Sequence, residues 1–276
     1  MFKFHKPLLF SLAITVTNLR LPVALAGSEL VTLDTRPGVS QKVMVLEPDG
    51  KPNGVVVLYA GGIGTLQLGS FFGRPFIGDK NYSDNFLVRV RNKIVESGLI
   101  VALPDVPSDR QRLSYAVRVS QEHTKDILAV VSYLKGRYGL PLWLVGTSAS
   151  AFSVANGAIA AGQDINGVIF TSSVTRTMPR DAVYKDFSAG VVSMDLSAIK
   201  VPALVVSHKE DNCELSPPAD SERIAAKLTS APKVEVAYFS GGDTPRSAPC
   251  DALSPHGFLG IEDKVVERMV TFIRGN

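Results

Sequence analysis

Val145-Gly146-Thr147-Ser148-Ala149-Ser150, continued by Ala151-Phe152-Ser153-Val154-Ala155, runs from an apolar stretch through a small-residue turn into a helical pattern. A strand that ends in Gly-x-Ser-x-small and leads into a helix is the setting of a nucleophile elbow. The turn presents the central serine in a strained backbone conformation, and small residues on either side let the chain fold that tightly. Gly146 fits the pattern, whereas Ser150 stands where a second glycine is usual. The same residues also suit a plain helix N-cap serine, so the rest of the chain has to decide.

Outward from this turn, strand and helix patterns alternate. Val55-Val56-Val57-Leu58-Tyr59 is a continuous apolar run ending in glycines, as expected of a strand buried on both faces. Leu30 to Thr35 and Gln41 to Leu46 suit an opening antiparallel pair. Further strands are predicted over Leu99 to Leu103, Leu142 to Val145, Gly167 to Thr171, Ala203 to Ser207 and Lys233 to Phe239. Helices are predicted from Ser83 or Asp84 to Glu96, from Leu113 to Tyr138, and from Gly257 to Ile273. Repeated β-then-α units imply a mostly parallel sheet of about eight strands covered by helices on both faces. Ligands of such sheets bind beyond the carboxyl ends of the strands.

A serine nucleophile needs a base to take its proton and a carboxylate to orient that base. Of the four histidines, His5 lies in an N-terminal stretch that reads as a removable leader, and His123 lies inside a predicted helix, where packing is the simpler role. His208 directly follows a strand and suits a ligand or loop contact. His256 stands in Ser254-Pro255-His256-Gly257-Phe258, between the last strand and the last helix. Asp211 follows the strand ending at Ser207, with Glu210 and Glu214 as neighbouring acids that suit the same task. Ser148, Asp211 and His256 thus each follow a strand, in the chain order Ser, Asp, His.

That order, with the Gly146-Thr147-Ser148-Ala149-Ser150 turn, resembles the α/β-hydrolase superfamily, in its serine esterase and lipase-like members with a secretory signal. The resemblance covers nearly all of the chain after the leader. It implies Ser148 as nucleophile, His256 as base and Asp211 as orienting acid. It also implies an oxyanion hole from two backbone N–H groups, one on Ala149 and one on Gly62 or Ile63 in the loop Ala60-Gly61-Gly62-Ile63-Gly64. The usual His-Gly before that loop is Ala60-Gly61 here. Ser172 to Lys200 is short for a substrate-covering lid, so the lid is expected to be small or absent. Phe71, Phe72, Phe76 and Tyr82, in the long stretch after the loop, are candidates to wall an acyl or alcohol pocket. The activity implied is hydrolysis of a carboxylic ester through an acyl-enzyme, without a cofactor. Amide or peptide cleavage, or a non-catalytic binding role on the same fold, are the alternatives.

The first 26 residues read as a secretory signal peptide: Lys3 and Lys6, the apolar run Leu8 to Val16, and Ala24-Leu25-Ala26 as a cleavage pattern. Residues 27–276 then form one α/β-hydrolase domain, secreted or periplasmic. Cys213 and Cys250, an even pair in an oxidising compartment, suggest one disulfide, with two buried thiols as the alternative. The net charge of +3 belongs to Lys3, Lys6 and Arg20; without them the chain has 26 basic and 26 acidic residues. A formally neutral body argues against nucleic acid as a partner, and no later segment is long and apolar enough for a membrane span. The expected partner is a small-molecule ester or related acyl substrate. No Walker-type or dinucleotide-binding glycine motif occurs. His208, Glu210, Asp211 and Cys213 crowd one short loop, a poor match to zinc-ligand spacing, so no metal is expected.

Overall fold

In the computed structural model, which describes Met1, residues 27–78 and residues 80–276, the alternating pattern becomes an eight-stranded sheet and a separate hairpin. The strands are β1 (Gly27–Arg36), β2 (Val39–Glu47), β3 (Val55–Tyr59), β4 (Leu68–Phe71), β5 (Arg74–Ile77), β6 (Ile100–Pro107), β7 (Leu142–Thr147), β8 (Gly167–Thr171), β9 (Ala203–His208) and β10 (Val234–Phe239). The helices are α1 (Lys80–Ser83), α2 (Phe86–Glu96), α3 (Tyr115–Arg118), α4 (Gln121–Tyr138), α5 (Ala151–Ala161), α6 (Tyr184–Phe187), α7 (Ser221–Lys227) and α8 (Glu262–Arg274). Apart from Met1, the proposed leader lies outside the described residues.

The sheet order is β1-β2-β6-β3-β7-β8-β9-β10, antiparallel at β1–β2 and β2–β6 and parallel from β6 onward. The chain leaves β3 for β6 on one side and returns to β7 on the other. β3 therefore stands at the switch point, with the loops after β3 and β7 side by side; Tyr59 pairs with Gly146. Continuous apolar strands follow from cover on both faces. Val55, Val57 and Tyr59 face a core shared with α4 and α5, while Val56 and Leu58 face one shared with α2 and α8.

Three helix boundaries differ from the sequence expectation. The helix expected from Ser83 or Asp84 begins at Phe86, because Asn85 is extended (φ −52°, ψ 136°) and Ser83 closes the short α1. The helix expected to run unbroken from Leu113 is split into α3 and α4. Ser120 turns extended, and its hydroxyl accepts from the His123 N–H at 3.2 Å. Asn156 Nδ2 donates to the Arg118 and Ser120 carbonyls, at 3.0 and 3.2 Å, bridging the break. The last helix starts at Glu262 rather than Gly257, since Phe258 and Gly260 take positive φ (57° and 80°) after a single 3₁₀ turn.

The β4–β5 hairpin was not anticipated. Asp105 anchors its entry by accepting from the Leu66 and Leu68 N–H groups at 2.8 and 2.7 Å. Phe71, Phe72 and Phe76 lie on this hairpin and are exposed.

Candidate active site

Ser148 begins the 3₁₀ turn between β7 and α5 with φ of 57°, a left-handed conformation that a non-glycine residue adopts only under surrounding constraint. Its neighbours supply that constraint. A Cβ on Gly146 would fall 2.7 Å from Val154 Cγ2 and 2.8 Å from the Ser150 carbonyl, so only glycine fits there. A Cβ on Gly61 would stand 2.8 Å from the Thr147 carbonyl and 3.2 Å from Ser148 Cβ, so the loop after β3 lies directly against the elbow.

Ser150, the departure from the usual glycine, is fully buried and ties this turn together. Its hydroxyl accepts from the Thr147 N–H at 2.7 Å and lies 2.6 Å from the Tyr59 carbonyl and 2.8 Å from that of Thr147. A glycine could make none of these bonds. The departure thus joins the end of β7 to the end of β3.

Asp211 and His256 meet across 45 residues of chain: His256 Nδ1 lies 2.8 Å from Asp211 Oδ2, and both side chains are buried. Asp211 follows β9, and its Oδ1 accepts from the Cys213 N–H at 2.9 Å. His256 sits in the 3₁₀ turn Pro255–Gly257, whose start Ser254 caps by accepting from the His256 N–H at 3.2 Å. Ser216, which the sequence did not single out, donates to Asp211 Oδ2 at 3.3 Å and lies 3.0 Å from His256 Nδ1. The other ring nitrogen, Nε2, is buried without a hydrogen-bond partner among the described residues.

Ser148 and His256 line one cavity of about 150 Å³ with Gly61, Gly62, Tyr82 and Asn85. A second cavity of about 390 Å³ meets the first at Ser148 and Gly62 and is walled by Ile63, Arg112, Tyr115, Ala149 and Asp181. Cys213 and Cys250 are joined in a disulfide with Cα atoms 4.5 Å apart, and both line the second cavity. Tyr82 reaches the site, but the expected aromatic wall does not form: Phe71, Phe72 and Phe76 line neither cavity. Those three rings follow their hairpin away from the loop.

The remaining candidates have other tasks. His208 Nε2 lies 2.8 Å from the Gly241 carbonyl, and its Nδ1 accepts from the Glu210 N–H at 3.1 Å, so its ring braces the loop after β10. Glu210 and Glu214 are exposed, and Glu210 turns toward His208. His123 is buried in α4 against Ser153, and burial, with the charge of Arg118 second, lowers its pKa to about 3. No group of three or more metal-ligating side chains occurs among the described residues, and no described helix is long and apolar enough to cross a membrane.

The sheet order and the turn at Ser148 are those of an α/β-hydrolase-fold protein, and solved structures agree. The chain is similar to an esterase of Pyrobaculum calidifontis (TM-score 0.63, 17% identity, 92% of this chain and 86% of that one). It is also similar to the Pyrococcus furiosus esterase Pf2001 (TM-score 0.59, 16% identity, 90% and 92%). A third similar structure is the dienelactone hydrolase of Anabaena variabilis (TM-score 0.60, 12% identity, 90% and 97%). No protein-family model and no curated protein matches the sequence.

Proposed function

We propose that this protein is a serine hydrolase that cleaves a carboxylic ester through an acyl-enzyme. The observation that carries this is the left-handed Ser148 at a strand-to-helix turn, sharing a cavity with the unpartnered Nε2 of an Asp211-paired His256. In this scheme His256 Nε2 takes the proton as Ser148 Oγ attacks the ester carbonyl. The Asp211 carboxylate holds Nδ1–H, which orients the ring and favours the imidazolium that forms. The carbonyl oxygen, now an anion, is met by the N–H of Ala149 and by that of Gly62 or Ile63, neither of which donates to a backbone carbonyl among the described residues. Collapse expels the alcohol, which takes the proton from His256, and water then attacks the acyl-enzyme by the same route.

The second cavity, opening at Ser148 and Ala149, suits one arm of the ester. The fold needs no cofactor for this chemistry. The leader and the Cys213–Cys250 bond both favour a secreted or periplasmic site of action.

The test combines covalent labelling with substitution. A fluorophosphonate labels the wild-type protein at Ser148, and Ser148→Ala removes both label and ester turnover, by at least about a thousandfold, in a folded protein. Near-normal turnover in folded Ser148→Ala protein overturns the proposal.

A further inference from the structure

Arg118, at the end of α3, is completely buried and has no carboxylate partner among the described residues. Its donors are spent on backbone and on one hydroxyl. Nη2 donates to the Ala60 and Gly62 carbonyls, both at 3.1 Å. Nη1 donates to Ser153 Oγ at 2.8 Å, and Nε to the Leu113 carbonyl at 3.2 Å. A Cβ on Gly64 would stand 2.9 Å from Nη2, so the loop closes directly over the guanidinium.

The geometry acts on peptide planes. In a trans peptide the carbonyl and the following N–H point in opposite directions. With the Gly62 carbonyl drawn inward to Arg118, the Ile63 N–H is turned the other way, out of the interior. The Ala60–Gly61 plane is held by the same nitrogen, and the Gly61 carbonyl between them accepts from the Gly64 N–H at 3.1 Å. All three planes from Ala60 to Ile63 are therefore fixed, two of them by one side chain. A run of glycines has no such preference of its own.

The charge matters beyond the hydrogen bonds. Burying an unpaired guanidinium costs several kcal/mol in general, and burial here pulls the Arg118 pKa down to about 10. Neutral donors would hold two carbonyls without that cost. His123, beside Ser153 at 2.9 Å, is held neutral and leaves the charge unbalanced. The guanidinium donates directly to the carbonyl of Gly62, which lines both cavities at Ser148, and one peptide unit separates it from the Ile63 N–H. A fixed cation in that position favours negative charge developing above it, through a medium that screens poorly.

We infer that Arg118, anchored by Ser153, is a positioning residue for the anion-binding loop: it fixes the peptide plane that carries the Ile63 N–H and adds a buried positive charge beneath it. The inference rests on the hydrolase reading of Ser148. Catalysis through such a device is gained in the transition state rather than in substrate binding.

The experiment begins with fluorophosphonate labelling of the wild type at Ser148; absence of labelling overturns the hydrolase reading and this inference with it. With labelling established, Arg118→Gln and Arg118→Lys are compared by thermal melting, ester kinetics and inhibition by a trifluoromethyl ketone, whose serine adduct carries the oxyanion. We expect folded Arg118→Gln to lose about 10- to 100-fold in kcat, with KM within about threefold and ketone affinity falling in step with kcat/KM. Arg118→Lys, which keeps the charge, regains part of that loss. If Arg118→Gln does not fold, Ser153→Ala, which removes the anchor together with the contact to His123, decides; it loses several-fold in kcat and in ketone affinity. Labelled wild type together with an unchanged kcat in folded Arg118→Gln, a loss confined to KM, or an unaltered ketone affinity in Ser153→Ala overturns the role of Arg118 alone.

Discussion

Ser216 Oγ lies 3.0 Å from the same His256 Nδ1 that Asp211 Oδ2 approaches at 2.8 Å. Nδ1 carries a single proton, and the carboxylate is the stronger acceptor for it. Ser216 therefore serves the pair by donating to Asp211 Oδ2, at 3.3 Å, while packing against the ring.

This ranks two substitutions. Asp211→Asn leaves the shape but no longer favours Nδ1–H or its imidazolium, and should lower kcat by about 10³- to 10⁴-fold. Ser216→Ala removes one long hydrogen bond and should lower kcat by no more than about tenfold. Steady-state ester kinetics on both variants check this; equal losses would show that Ser216 matters to the ring as much as Asp211 does.

Ser150 carries a stability prediction. Removing its hydroxyl strands the Thr147 N–H and the Tyr59 carbonyl in a buried place. Ser150→Ala should cost about 1–3 kcal/mol, and Ser150→Gly somewhat more through chain entropy. Urea midpoints at constant slope measure both, and a glycine variant as stable as wild type would contradict the bracing role.

The disulfide closes a segment of 37 residues and joins the loop of Asp211 to that of His256. In the chain-entropy picture such a link stabilises by about 4 kcal/mol. Cys213 also presents its N–H to Asp211, so loosening the link should misplace the acid before the sheet opens. Activity followed alongside far-UV circular dichroism during stepwise reduction should fall first; simultaneous loss would make the bond structural only.

His123 sets a limit on acid stability. Its folded pKa of about 3 lies below the ordinary 6.5, because burial and then the Arg118 charge disfavour the imidazolium. Between those values the unfolded chain binds a proton that the folded chain does not. Stability from this group is thus intact above about pH 6.5 and falls by about 1.4 kcal/mol per pH unit as pH drops toward 3. His123→Gln should flatten that part of the profile in denaturant melts taken from pH 7 to 4. An unchanged slope would place the titration elsewhere.

Local pattern made much of this legible in the sequence. Val55 to Tyr59 reads as a buried strand because both of its faces are covered, and Gly167 to Thr171 coincides with β8 to the residue. The positions of Ser148, Asp211 and His256 after β7, β9 and β10 followed from strand periodicity and chain order. The β4–β5 hairpin is not legible in the sequence, because its strands are four residues each and carry glycine or proline. The break between α3 and α4 is set by the Ser120 cap and bridged by Asn156 from another helix, a contact that helical periodicity does not register.

By itself the sequence determined the alternation of strand and helix, since periodicities of 2 and 3.6 are properties of neighbouring residues. It also determined that a small-residue turn follows β7. Tertiary structure alone decided which groups meet. Ser150 finds the Tyr59 carbonyl 91 residues away, Arg118 the Ala60 carbonyl across 58, and Ser216 the His256 ring across 40. Sequence spacing encodes none of these contacts, because the parallel sheet order brings together the ends of strands that are distant in the chain. A buried polar atom then takes whichever partner that geometry leaves within reach, because to remain unpaired costs more than the bond is worth in water.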